Sequence, residues 1–126
     1  MKDFFKDILN IREIQGVLFF SIEGELLFKK FISPLLDEFD DRDWPSFFKN
    51  ASNWPTIIRA FDKVYDAGLV FKKKKLYIKK IDNGYIIIIM GQSVPFMLVR
   101  LNCELIIPSL NSIKKSKGFA RFFRRK

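Results

Sequence analysis

The longest uninterrupted hydrophobic block of the chain covers residues 84–91, with the sequence GYIIIIMG. Isoleucine and tyrosine favour β-strands, and the block does not alternate with polar residues. A strand that is hydrophobic on both faces must be covered on both. We therefore predict that this strand lies in the middle of a sheet, between two further layers.

Two patterns precede this block. Over residues 3–14, hydrophobic side chains recur three and four positions apart, which predicts an amphipathic helix that ends before Gly16. Residues 17–22 and 25–31 are hydrophobic stretches on either side of Glu23 and Gly24. A glycine in such a short connection supplies the positive φ that hairpin turns need, so we predict a β-hairpin.

The next segment is rich in charge and proline. Residues 33–43 hold five acidic side chains; we interpret them as a solvated loop rather than a cation site, because the glycine turn and ligand spacing of a calcium loop are missing. Trp-Pro pairs follow Asp43 and Asn53, and this combination is typical of helix starts. We predict two short helices, over residues 44–50 and 55–65.

Strands are predicted at residues 69–71 and 76–81, joined through the four lysines of residues 72–75. These lysines fit a solvated hairpin tip, with a phosphate-binding patch as the alternative. Ser93 and Pro95 then start a last helix, which Pro108 is expected to end or kink. Its core-facing side is predicted to carry Phe96, Val99, Cys103, Ile106 and Leu110.

The predicted order of elements is helix, two strands, a helical segment, three strands and a helix. Three strands joined by hairpins after a helix are incompatible with a doubly wound parallel sheet. The predicted fold class is therefore α+β, with a mostly antiparallel five-stranded sheet and helices on both faces.

The charge and the cysteine count narrow the range of functions. The net charge is +9, but residues 114–126 contain seven of the 23 basic residues and none of the 14 acidic ones. Cys103 is the single cysteine and histidine is absent, which excludes an internal disulfide and a Cys-His metal site and fits a reducing cytoplasm. We interpret Cys103 as a buried small hydrophobe rather than a reactive thiol.

Catalytic and membrane-spanning signatures are missing from the sequence. It offers no acidic cluster set against a base and no glycine-rich phosphate loop, so we expect a protein that is not an enzyme and needs no cofactor or metal. The N-terminus is charged every few residues, unlike a signal peptide. The isoleucine block is far shorter than the ~20 residues of a membrane-spanning helix.

Residues 11–17, IREIQGV, lead from the predicted first helix into the first strand. This stretch and the element order resemble the roadblock/dynein light-chain family, in which the pattern I-x-x-I-x-G-V makes that connection. The resemblance covers residues 4–110 and implies a roadblock-like domain over residues 1–112. The chain departs from the family in its middle region, where members usually have one long helix, and in its basic tail.

The resemblance also implies a function. Family members are non-enzymatic, often scaffold or regulate Ras-like small GTPases, and usually dimerise through the middle helix and third strand, so that two five-stranded sheets join into one. The implied dimer interface consists of Trp44, Phe47, Phe48, Trp54, Ile57, Ile58, Phe61, Leu69, Val70 and Phe71. The crowding of large hydrophobic side chains in the middle region independently favours an interface. The alternative is that these side chains complete the core.

Residues 113–126 form a basic and aromatic tail that we predict to be flexible. Three interpretations stay open: a solubilising tail, attachment to an anionic membrane surface, and nucleic-acid binding. The contacts to a membrane or polyanion would come from Lys114, Lys115, Lys117, Phe119, Arg121, Phe122, Phe123, Arg124, Arg125 and Lys126.

The sequence therefore predicts a cytoplasmic homodimer that binds a small GTPase, with the tail tethering it to the inner membrane face or to an acidic partner. The alternative is a peripheral membrane-surface or nucleic-acid binder that acts through its tail. Deletion of the tail separates the two, because partner binding survives it only in the first case.

Overall fold

The structure, a computed structural model, describes residues 5–32, 54–60, 63–71 and 74–111. Its elements are helix α1 (Lys6–Leu9), strands β1 (Ile14–Ser21) and β2 (Leu26–Phe31), helix α2 (Trp54–Ala60), strands β3 (Asp66–Val70), β4 (Lys74–Ile81) and β5 (Gly84–Gly91), and helix α3 (Phe96–Asn111). The strands form one antiparallel sheet in the order β2-β1-β5-β4-β3. The predicted α+β class with five strands is confirmed.

Strand β5 occupies the centre of the sheet and is buried along its whole length. Its side chains alternate between two hydrophobic clusters: Ile86 and Ile88 belong to one, Ile87 and Ile89 to the other. The isoleucine block therefore has two buried faces because each face of the sheet carries its own hydrophobic layer.

Helices cover both faces, as predicted. Helices α1 and α3 contribute Ile8, Val99 and Cys103 to the cluster on one face. On the other face, Ile57 of α2 packs into the cluster that contains Leu18 and Ile87. The sheet is thus the middle of three layers.

The predicted hairpin is formed by β1 and β2. Gly24 lies in its connection with φ 95°, the left-handed conformation that a glycine adopts without strain. The turn is closed by two hydrogen bonds between the same pair of residues: the Ser21 N–H donates to the Glu25 carbonyl at 2.8 Å, and the Glu25 N–H donates to the Ser21 hydroxyl at 3.0 Å. The sequence prediction of a glycine turn is confirmed.

Helix α3 continues through Pro108 to Asn111, so the proline does not end it. Pro108 lies on the exposed side of the helix, where water can solvate the carbonyl that loses its donor. Contacts with the rest of the domain also stabilise the last turn. Leu110 is fully buried, and the buried Asn83 side chain donates a hydrogen bond to the Leu110 carbonyl at 2.8 Å.

Three predicted boundaries are wrong. Helix α1 stops at Leu9 because the chain turns through Glu13, whose φ is 70°, and pairs with β5 from Ile14 onwards. Residues 63–65 are not helical, since β3 begins at Asp66. Lys74 and Lys75 belong to β4 rather than to a solvated tip, and Lys74 is only 3% exposed.

Candidate interaction surface

The free edge of the sheet at β3 is the first part of the candidate surface. The Phe71 N–H donates to the Lys74 carbonyl, and the Tyr65 carbonyl accepts from the Lys80 N–H. Because backbone groups alternate in direction along an antiparallel strand, those of Asp66, Gly68 and Val70 point away from β4. In the described sheet no strand lies beyond β3, so this edge can accept a further strand.

The side chains of this edge lie against the start of α3. A Cβ at Gly68 would come within 2.8 Å of the Phe96 ring, so the glycine lets that ring lie directly on the strand. The ammonium group of Lys75 lies 4.3 Å from the centroid of the same ring, a cation–π contact. Beside it, an open depression of about 340 Å³ is lined by β3 and α3, including Gly68, Phe96 and Met97.

A polar cluster that joins β3 to α3 lines part of this depression. The Tyr77 hydroxyl donates a 2.8 Å hydrogen bond to Oδ2 of Asp66. The same oxygen lies 3.4 Å from Nε of Arg100, which is also 3.5 Å from Oε2 of Glu104. Burial, reinforced by the bond to Asp66, raises the pKa of Tyr77 above its ordinary value, so its phenol stays neutral and keeps donating. The cluster thus links α3 to β3 and β4.

The sequence-predicted interface residues separate into three groups. Ile57 is buried at 5% exposure, whereas Leu69 and Phe71 are partly buried against the same cluster. Val70 projects from the opposite face of β3 and is 66% exposed. Trp54 and Ile58 belong to α2, but their side chains lie outside the described residues, as do Trp44, Phe47, Phe48 and Phe61. The assignment of this set to a dimer interface stays a prediction.

The residues assigned to the tail, 113–126, also lie outside the described part of the chain, as does the acidic segment at residues 33–43. Their predicted contacts with a membrane, a polyanion or a cation therefore stay predictions. Among the described residues, no three Cys, Asp or Glu side chains are grouped as metal ligands. No helix within the described ranges is both long and apolar enough to cross a membrane.

Cys103 is fully buried on the core side of α3, in agreement with its interpretation as a small hydrophobe. Burial raises the pKa of its thiol to about 12, which suppresses the reactive thiolate. We expect Cys103 in the native protein at pH 8 to react with a disulfide reagent at least about 100-fold more slowly than in the denatured protein. Leu105→Cys, an exposed position on the same helix, serves as the fast-reacting control, and rapid labelling of the native wild type would contradict the assignment.

Sequence reasoning missed Tyr65, which is 84% exposed immediately before β3. It lines a second open depression of about 590 Å³ together with Ile22, Val64 and Lys80. The sequence predicts a helix over residues 55–65, so Tyr65 was not expected as an exposed side chain at the start of a strand. The exposed Tyr65 and Val70 thus bracket the β3 edge.

Comparison with solved structures shows a roadblock-like fold. The structure is similar to that of Myxococcus xanthus MglB, with a TM-score of 0.64 and 16% identity over 90% of this chain and 89% of that one. It is also similar to an MglB structure described as having a tetrameric arrangement (TM-score 0.59, 12% identity, 91% and 93% covered). A third similar structure is a Roadblock/LC7 domain from Streptomyces avermitilis (TM-score 0.57, 8% identity, 83% and 88% covered). No family model and no curated protein matches the sequence.

Proposed function

We propose that this protein is a non-catalytic, homodimeric scaffold or regulator that binds a Ras-like small GTPase. The observation that carries the proposal is the roadblock-like fold, which matches MglB over about nine tenths of both chains. The roadblock family, which the sequence resembles, often acts on such GTPases. The fold that the sequence pattern predicts is the fold that the structure shows, and this agreement supports the proposal.

The β3 edge supports the homodimer. Its backbone groups at Asp66, Gly68 and Val70 point outward, and the exposed Val70 side chain lies beside them. Two copies of such an edge, related by a two-fold axis, can pair as antiparallel strands and join their sheets. The tetrameric arrangement of one similar MglB structure is consistent with self-association through this fold.

The chemistry of the described residues supports a binding role. The titratable groups that lie together, Asp66, Tyr77, Arg100 and Glu104, are engaged with one another where α3 meets the sheet. The buried Cys103 has a raised pKa. A protein of this kind would act on a GTPase by contacting it and orienting the GTPase's own groups, which requires shape and polar complementarity rather than a catalytic side chain.

Affinity capture from the organism that encodes the chain tests the proposal. The full chain and a version ending at residue 112 serve as baits, each with a GTP analogue or with GDP, and captured proteins are identified by mass spectrometry. We expect both baits to recover the same Ras-like GTPase, which is then purified and titrated against each bait. Binding by both, with either nucleotide, supports the proposal and makes the tail accessory.

If only the full chain captured a partner, the proposed function would be contradicted. If that bait retained only anionic lipid or nucleic acid, the function would lie in the tail. Vesicles with and without anionic lipid, and single-stranded DNA, distinguish those outcomes: both modes weaken with salt, but lipid binding retains a hydrophobic contribution from the phenylalanines. A peripheral position at the cytoplasmic membrane face would then follow from the lipid result.

A further inference from the structure

Helix α3 carries a second hydrophobic face, on the side opposite the core. It consists of Leu98, Leu101, Leu105 and Pro108, here called the leucine stripe, and all four are exposed in the described part of the chain. Leu101 is 53% and Leu105 is 76% exposed. Spacings of three and four residues place these side chains in one row along the helix, as in the seam of a coiled coil.

The charges of α3 border this stripe on one flank only. Arg100 and Glu104 are the two charged residues of the helix, and both lie on the flank that faces Asp66 of β3. The helical rotation of about 100° per residue places Asn102 and Ser109 on the other flank. Among its own residues, α3 therefore gives the stripe one charged and one neutral flank, and the charged residues Arg12 and Glu13 of the turn before β1 lie near Leu98 at the start of the helix.

These borders distinguish between the two ways in which identical helices can pair about a two-fold axis. In a parallel pair, the charged flank of one helix meets the neutral flank of the other. In an antiparallel pair, like flanks face each other, and Arg100 of each copy lies opposite Glu104 of the other when the axis passes level with Asn102.

The same register aligns the leucines. With a rise of 1.5 Å per residue, Leu98 of one copy and Leu105 of the other differ by about 2 Å in their position along the helix axis. The two copies of Leu101 differ by about 3 Å along the same axis. The antiparallel register that brings Arg100 opposite Glu104 thus also aligns the hydrophobic rows of the two helices.

We propose that the leucine stripe is a docking surface for the α3 helix of a second copy of this chain, paired antiparallel. The row of four side chains is smaller than the roughly 800 Å² per partner of a standard stable interface, so this contact is weak and depends on concentration. It lies on a different surface from the β3 edge. A protein that dimerises through β3 would therefore use α3 to join dimers into tetramers.

Disulfide cross-linking of the full-length protein tests the register. Under mild oxidation, Leu101→Cys should form a cross-linked dimer, because residue 101 lies next to its own copy. Leu105→Cys should cross-link at least about tenfold more slowly, since the two copies of residue 105 lie about 9 Å apart along the helix axis. Random collision predicts the reverse order, because Leu105 is the more exposed of the two. The wild type, whose Cys103 is buried, is the control.

The mass of the assembly provides the second readout. In analytical ultracentrifugation, Leu101→Glu/Leu105→Glu should raise the dissociation constant of the α3 contact at least about tenfold and halve the largest species. Ile22→Glu/Leu26→Glu, which replaces two exposed hydrophobic residues of the β1–β2 hairpin, is the matched control and should leave the mass unchanged. Measuring the stripe variant and the hairpin control in a Val70→Pro background separates the α3 contact from pairing through β3.

Two results would overturn the proposal. One is cross-linking of Leu105→Cys as fast as that of Leu101→Cys, together with a mass that the stripe substitutions leave unchanged. The other is binding of the wild type, but not of the stripe variant, to lipid vesicles without self-association, which would assign the stripe to a membrane.

Discussion

Replacing Gly84 with alanine is expected to destabilise the domain by about 3 kcal/mol or more, the upper end of the cost of overpacking. Gly84 begins β5 and pairs with Ser21 of β1 and Ile81 of β4, so it is enclosed on both sides. A Cβ on Gly84 would overlap the carbonyl oxygen of Phe20. That oxygen belongs to the backbone of the neighbouring strand and cannot rotate away, so β1 and β5 must separate at this end.

Thermal and urea unfolding of the full-length protein measure this effect, and a loss of about 10 °C or more in Tm is expected. Gly91→Ala at the other end of β5 is the matched control. There the new Cβ would come within 2.7 Å of Oε1 of Glu13, the end of a flexible side chain that can move, so the cost should stay below about 1 kcal/mol. Equal stability of the two variants would show that β1 and β5 are not held at this separation.

Val70→Pro is expected to abolish the proposed dimerisation through β3 while leaving the domain folded. The Val70 N–H points away from β4, so the proline removes a donor from the free edge and none from the β3–β4 ladder. The side chain is largely exposed, so little core packing is lost. A proline on an edge strand blocks pairing with another strand.

Self-association of this variant is best measured in the Leu101→Glu/Leu105→Glu background, which removes the proposed contact through α3. We expect the dissociation constant of self-association to rise at least about 100-fold, and the affinity for the proposed GTPase partner to fall with the loss of the dimer. Val70→Thr keeps the N–H and the β-branched shape, and it should dimerise normally. A Val70→Pro protein that stays folded and dimeric would place the dimer interface elsewhere.

The sequence determined the middle of the sheet. Residues 84–91 are hydrophobic at every position, and this requires cover on both faces whatever the rest of the chain does. The hairpin around Gly24 and the core-facing side of α3, with Val99, Cys103 and Leu110, could also be predicted. Their signals are local: a turn glycine and a helical repeat of hydrophobic residues.

The candidate surface could be predicted only in part. The sequence predicts a strand at residues 69–71, but it gives no reason to distinguish the three side chains. In the structure Leu69 and Phe71 pack against the core, and Val70 is exposed. The polar contact of Asp66 with Tyr77 and Arg100 joins three elements and leaves no periodic signal in the sequence. The leucine stripe did leave such a signal, but its exposure depends on which face of α3 the sheet covers.

What the tertiary structure alone decided is which strands are edges. Strand β1 inserts beside β5, although the two are far apart in the chain, and this pairing leaves β2 and β3 outermost. Lys74 is buried for a related reason, since β4 pairs with β5 from that residue onwards. Hydrophobic periodicity shows which face of a helix or strand is hydrophobic. Whether a strand lies at the edge of the sheet, and whether a given residue is buried, depends on neighbouring segments that only the folded chain brings together.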